Sequence, residues 1–377
     1  MVRKKLNGIV MGILLCAVIM LNNCGNSEVR PDDNTCFDPA FFDDYPERSF
    51  LMGFTSWPFG PNAADVEDTY QFSSENADIY VEHIDNRIPW DAWINDTPLP
   101  QEFTNEISFR VSNKIAGHKL LVSSGLLNLD RNDLANDFDD LPPAYTALND
   151  QHIEDAYVKH LTYLIDQFAP DYMLIAIEAN ELKMHSEAKW QEYKLLFSEV
   201  RNRIKLTYPD LPVSESITLH NYYEPEVPNP NDFIADISNH IAQMDFAAIS
   251  FYPFFRLLKT ESDFQGAFDF LHDQVSIPIA FAETSHLAED LMIPNLNISM
   301  EGDECGQNMY LETLAKNAQM RQYEFIIWWA HRDYDAIWET FPDEVKDIGQ
   351  IWRDTGLLDE NGHGRLASDS WDLVFEK

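Results

Sequence analysis

Eight short apolar runs recur along this chain, at residues 50–54, 77–84, 119–123, 172–177, 213–219, 246–251, 277–282 and 325–329. Runs that are apolar at successive rather than alternate positions suit strands covered on both faces, as in parallel sheets. The segments between several of them are helical in pattern. Ile153, Ala156, Tyr157, His160, Leu161, Leu164, Ile165 and Phe168 form a stripe of 3.6-residue period stopped by Pro170. Trp190, Tyr193, Leu196, Phe197, Val200 and Ile204 form a second, ending before Pro209, and a third runs over residues 308–321. Alternating strands and helices give the α/β class, and eight strands is the count that closes a single (β/α)8 TIM barrel. A doubly wound open sheet is the competing arrangement. It would carry a Gly-rich turn after the first strand, and Gly53-Phe54-Thr55-Ser56-Trp57-Pro58 is not one. Barrels run longer than the average domain, so one barrel over residues 47–377 is expected.

Residues 1–24 read as an address. Arg3, Lys4 and Lys5 precede an apolar stretch over residues 8–21, too short to span a bilayer and suited to a signal peptide. The stretch ends at Leu21-Asn22-Asn23-Cys24-Gly25. This resembles a bacterial lipoprotein signal, which implies lipidation at Cys24, although Asn23 stands where a small residue is usual. Ordinary cleavage and a free secreted protein is the alternative. Residues 25–46 are polar and read as a tether and lead-in. Cys16 goes with the signal, which leaves Cys36 and Cys305. In an exported chain an even pair makes a disulfide plausible, two separate buried thiols being the other reading.

Charge limits the partners. The chain has 26 basic and 64 acidic residues, a net −38, and from Cys24 onward 23 against 64, or −41. A nucleic-acid partner is excluded, because phosphates need a basic footprint. Membrane contact is expected through a lipid anchor only. No zinc spacing, P-loop or dinucleotide fingerprint occurs, so no metal or cofactor is expected. A monomer is expected.

Barrel chemistry belongs just past the C-terminal ends of the strands. After the fourth run comes Glu178-Ala179-Asn180-Glu181, after the sixth Tyr252-Pro253-Phe254-Phe255, after the seventh Glu283-Thr284-Ser285-His286, and at the eighth Trp328-Trp329-Ala330-His331. Either glutamate alone is an ordinary acid at an element end. Two of them, ending the fourth and seventh strands, supply the carboxyl pair that glycoside hydrolysis requires.

On these residues the chain resembles the clan A superfamily of retaining (β/α)8 glycoside hydrolases, over roughly residues 47–370. The superfamily's Asn-Glu pair is matched by Asn180-Glu181, its nucleophile by Glu283, the aromatic after strand six by Tyr252, and the Trp ending strand eight by Trp328 or Trp329. The Phe-Tyr-Pro-Phe-Phe and Ala-Glu-Thr segments look most like family 53 endo-β-1,4-galactanases, with Ala179 and Phe255 as departures. The resemblance implies a carbohydrate substrate, Glu181 as general acid/base and Glu283 as nucleophile with Tyr252 as its hydrogen-bond donor. It also implies that Asn180 binds the sugar 2-OH, and that Trp328 or Trp329 forms a stacking floor, Trp328 being favoured.

Secondary candidates surround these. Arg87, after the second strand, is either near the nucleophile or in a surface salt bridge. Trp57, Trp90 and Trp93 are sugar platforms or loop packing. His220, Asn221 and Tyr222 follow the fifth strand and are expected to line the cleft, and Glu178 either points into the barrel mouth or pairs with a base, a structural role being preferred. The acid-rich stretch 130–140 fails the EF-hand pattern at Leu134 and Ala135 and reads as a solvated loop. The function expected is a retaining β-glycoside hydrolase. The alternatives are an exported glycan-binding lipoprotein on a non-catalytic barrel, and an unrelated barrel enzyme using these acids for metal or proton transfer.

Overall fold

A computed structural model describes Cys36 and residues 47–84 and 87–377, the Glu344 side chain excepted. The signal segment with Cys24, and the tether other than Cys36, lie outside the described residues. Eleven strands are described: β1 Leu51–Thr55, β2 Ile79–Ile84, β3 Lys119–Ser124, β4 Tyr172–Leu174, β5 Val213–Ser214, β6 Ser216–Thr218, β7 Ala247–Phe251, β8 Ile279–Thr284, β9 Leu291–Ile293, β10 Ile298–Met300 and β11 Phe325–Trp328. Nine of them form one sheet in the order β5-β4-β3-β2-β1-β11-β8-β7-β6. The two ends of that order, β5 and β6, are pieces of a single run interrupted at Glu215. There are thus eight strand positions, and the fold is a nearly closed (β/α)8 barrel rather than an open doubly wound sheet.

The strands form where continuous apolar sequence can be covered twice. Every residue of β2, β7 and β8 is buried. Pairing is parallel wherever its register is resolved in the barrel, as in Leu121 with Tyr172, Met173 with Val213, and Ile326 with Phe281. Gly53 is required where it stands, because a Cβ there would sit 1.9 Å from the Ile79 carbonyl oxygen. The helical stripes form as their period predicts. Gln151–Phe168 buries the eight residues of the first stripe and is capped by Asp150, whose carboxylate accepts the His152 N–H at 2.8 Å. Glu187–Thr207 buries the second stripe behind a Ser186 cap.

Some boundaries differ from the sequence reading. The fourth strand stops at Leu174, and residues 175–178 bend before Asn180 opens the helix Asn180–His185. β8 extends to Thr284, so Glu283 lies within it rather than beyond it. The hairpin β9–β10 was not legible as an element.

The chain divides into two compact units: residues 80–250 with 275–278, and residues 47–79, 251–274 and 279–377 with Cys36. In the second unit Cys36 and Cys305 are joined by a disulfide, and the Cys36 carbonyl accepts the Asn308 amide at 2.5 Å. Among the described residues, no helix is long and apolar enough to cross a membrane.

Candidate active site

The first unit holds Glu181 on a turn built by β4 and β6. Asn180 latches that turn. Its Oδ1 accepts the Thr218 N–H at 2.8 Å, and its Nδ2 donates to the Thr218 carbonyl at 3.1 Å and to Thr218 Oγ1 at 2.9 Å. With both ends of the amide engaged and no exposed surface, Asn180 is an internal tie.

Glu181 follows, 4% exposed. Its carboxylate Oε1 accepts the Thr218 hydroxyl and the Asn221 Nδ2–H, the latter at 2.7 Å. Burial is the largest influence and pushes the carboxyl up to about 7. The two hydrogen bonds pull the other way, the Glu178 charge adds to the rise, and Arg131 opposes it. Glu181 therefore carries a proton near neutral pH and can release it there, as a general acid/base requires. His220 lies buried beside Asn221 in the short helix Leu219–Tyr222, and the Tyr222 hydroxyl is bound to Ser238 at 2.5 Å rather than turned to a ligand.

Glu178 is tied down. Ser250 Oγ donates to its Oε1 at 2.8 Å, and Arg131 reaches its Oε2 at 3.3 Å. Arg131 comes from the acid-rich loop, whose aspartates make local contacts. Asp137 caps backbone N–H groups of Asp91 and Phe138, and Asp133 pairs with Lys189. Arg87 binds Glu102 at 3.0 Å, lies 3.6 Å from Asp140 and stacks on Phe138. These contacts make it a clamp of that loop. Trp90 takes the packing alternative, being fully buried with its indole N–H on the Ala135 carbonyl at 2.8 Å. Trp93 packs on Tyr163 and His160.

The second unit holds Glu283, 8% exposed, on β8. The Tyr252 hydroxyl donates to its Oε1. Tyr334, which sequence reasoning missed, is buried nearby, and burial together with the negative charge of Glu283 pushes its phenol well above the usual range. A phenol that stays protonated remains a donor. Tyr334 reaches the Trp57 carbonyl at 3.5 Å, and the Trp57 ring lies 6.1 Å from that of Trp329. Trp328 lies in the wall. It has no exposed surface, its indole donates to the Thr355 carbonyl at 3.1 Å, and its ring packs on Tyr310. Trp328 is thus held by the wall, and Trp329, also buried, stands beside Trp57. His331 is enclosed by Phe54, Phe59 and Phe72, and burial drives its pKa down to about 3, so its ring is neutral near pH 7.

Among the described residues, two carboxylate groups stand close enough to hold a cation, Glu289–Asp333–Glu360 and Asp333–Asp335–Asp354. Their shared member is already engaged. Asp333 accepts from the Gly356 N–H at 2.8 Å and from Arg365, while Arg353 binds Asp354 at 2.7 Å.

No protein-family model matches the chain, and no curated protein matches it by sequence. Solved structures do. A GH5_18 protein from Streptomyces cattleya in complex with GlcNAc superposes with a TM-score of 0.62 at 14% identity, covering 87% of this chain and 79% of that one. A GH5_18 protein from Bifidobacterium longum subsp. longum in complex with Manβ1-4GlcNAc gives 0.60 at 14% identity, with 87% and 78% covered. The GH53 catalytic domain of Ignisphaera aggregans gives 0.52 at 16% identity, with 89% and 93% covered. By fold, this chain is a (β/α)8 barrel of the type shared by the GH5_18 and GH53 glycosidases.

Proposed function

We propose that this chain is an exported retaining β-glycoside hydrolase. The observation that carries the reading is the unequal setting of two strand-end carboxyls. Glu181 is buried with its carboxyl pushed up to about 7, whereas Glu283 on β8 accepts a hydrogen bond from the Tyr252 hydroxyl. A carboxyl that keeps its proton near neutral pH is what the acid role in such a pair requires. In the first step, the Glu283 carboxylate forms a bond to the anomeric carbon while the glycosidic C–O bond breaks and Glu181 gives its proton to the leaving oxygen. In the second, Glu181, now ionised, takes a proton from water. That water attacks the anomeric carbon and frees Glu283.

The fold neighbours guide the choice of substrates: two are held with Manβ1-4GlcNAc or GlcNAc, and one is described as an exo-β-1,4-mannosidase. A panel of aryl β-glycosides and polysaccharides, starting with β-mannosides and β-galactosides, tests the reading. NMR of the first-formed sugar should show the β-anomer, and α-anomer first would exclude retention. Wild-type turnover in Glu283→Gln would overturn the nucleophile assignment. Saturable glycan binding with no turnover on any substrate would favour the non-catalytic binding protein instead. Export is supported by the disulfide, since such bonds persist in oxidising compartments. Anchoring is tested by metabolic labelling with palmitate, which should be lost in Cys24→Ser.

A further inference from the structure

Thr218 ends β6 and is fully buried, with its hydroxyl against the carboxyl of Glu181. The backbone of Thr218 fixes how Asn180 meets it. Its N–H needs an acceptor and finds Asn180 Oδ1 at 2.8 Å, while its carbonyl needs a donor and finds Asn180 Nδ2 at 3.1 Å. The amide can therefore stand only one way round, and its second N–H donates to Thr218 Oγ1 at 2.9 Å. A hydroxyl has one proton to give. That proton has two acceptors in reach, Asn180 Oδ1 at 3.2 Å and the nearer Glu181 Oε1. Oδ1 already accepts the Thr218 N–H, so the proton goes to Glu181. Asn221 Nδ2 donates to the same carboxyl oxygen at 2.7 Å. Oε1 thus takes both hydrogen bonds, and from the described residues Oε2 takes none.

We infer that Thr218 is a positioning residue of the acid/base site: its hydroxyl, aimed by Asn180, holds Glu181 Oε1 as an acceptor and leaves Oε2 as the oxygen that carries the transferable proton. The inference rests on Glu181 acting as the general acid/base. A proton on Oε1 would meet the Asn221 N–H head on, whereas a proton on Oε2 displaces no hydrogen bond. Oε2 is then the atom that gives its proton to the leaving oxygen as the glycosidic C–O bond breaks, and that takes one back from water in the second step. The Thr218 hydroxyl bonds the ionised carboxylate more strongly than the protonated acid, so it opposes the rise that burial imposes. Two charges also act on Glu181, Glu178 from the preceding turn and Arg131 from the acid-rich loop, while His220 and Tyr222 stand on the helix that carries Asn221. Substitution of Thr218 leaves all of these in place.

The test is kcat/KM against pH, on an activated dinitrophenyl and an unactivated phenyl β-glycoside of the sugar that the wild type turns over. Thr218→Val keeps the shape and removes the hydroxyl. Its basic limb should move up by about one pH unit, the size of one hydrogen bond to a charged group. The phenyl leaving group needs the Oε2 proton far more than the dinitrophenyl group does, so the variant should lose about tenfold more kcat/KM on the phenyl glycoside. Thr218→Ser, which keeps the hydroxyl, should hold the wild-type limb and the wild-type ratio of the two rates. A merely structural role would lower kcat/KM on both glycosides alike in Thr218→Val with the limb unmoved, and that result overturns the inference. Glu181→Gln is run in parallel. Wild-type turnover of the phenyl glycoside there removes the acid/base reading itself, whereas loss of turnover together with an unmoved limb in Thr218→Val removes the inference alone. Should Thr218→Val fail to fold, Thr218→Cys, whose thiol is a weak donor, carries the same comparison. Should no glycoside be turned over, thermal unfolding reads the same proton, with the matching Glu181→Gln variants as baseline. The fall in Tm with rising pH should then level off about one pH unit higher in Thr218→Val than in the wild type, and no displacement overturns the inference.

Discussion

Replacing Glu181 with glutamine should inactivate the protein and, above neutral pH, stabilise it. The glutamine Oε1 can still accept from Thr218 and Asn221, which now converge on Glu181 Oε1, so packing is kept and only the ionisation is lost. In the folded protein burial raises the carboxyl from 4.5 to about 7. Between those values the folded state holds a proton that the unfolded state has released. The stability this confers is complete below pH 4.5 and is lost as pH rises through about 7. A shift of roughly 2.5 units at about 1.4 kcal/mol each puts the cost of ionising Glu181 near 3 kcal/mol at pH 8. At pH 5 the same linkage amounts to less than about 1 kcal/mol. For roughly 330 folded residues, at about 2.1 cal/mol/K each, 3 kcal/mol is a rise in Tm of about 4 °C. Thermal unfolding of wild type and Glu181→Gln at pH 5 and pH 8, alongside hydrolysis of an aryl glycoside, checks both halves. Activity should fall by about 10²–10⁴-fold. A gain in Tm of the same size at both pH values, or none at pH 8, would refute the idea that burial keeps Glu181 protonated.

Other expectations can be measured on the same material. Wild-type kcat/KM should decline above about pH 7, as Glu181 loses its proton; a flat profile to pH 9 would contradict this. Tyr252→Phe removes a charge-assisted hydrogen bond to Glu283, worth about 1.5–3 kcal/mol, so kcat should drop roughly ten- to a hundredfold with little change in fold by circular dichroism. Trp329→Ala should raise KM more than it lowers kcat, whereas Trp328→Ala, by emptying the wall beside Tyr310, should lower Tm by several degrees; the reverse pattern would return the stacking role to Trp328. Cys305→Ser opens a bridge between residues 269 apart, and thermal melts should register a loss of about 2–4 kcal/mol.

Much of the architecture was legible because burial on two faces leaves a mark on sequence. β2, β7 and β8 are buried at every residue and mostly apolar, and the helix Gln151–Phe168 repeats its buried residues at the helical period. Such patterns are local consequences of what each element must hide from water. The positions of Glu181 and Glu283 were legible for the same reason, since each lies where an apolar run gives way to polar residues. The pairing of Cys36 with Cys305 followed from counting, not from distance.

What the tertiary structure decided was the partner of each polar group. Asn180 and Glu181 are neighbours in sequence. Yet Asn180 is spent on Thr218, while Glu181 keeps a titratable proton. Trp328 and Trp329 are equally aromatic, but one donates to Thr355 and the other stands beside Trp57. Arg131 is one base in an acid-rich stretch, and only folding carries it 47 residues along the chain to Glu178. Apolar burial depends on composition and period, which a sequence displays. Hydrogen bonds and charge pairing depend on distances of about 3 Å between residues far apart in the chain, and those exist only once the strands and loops have met.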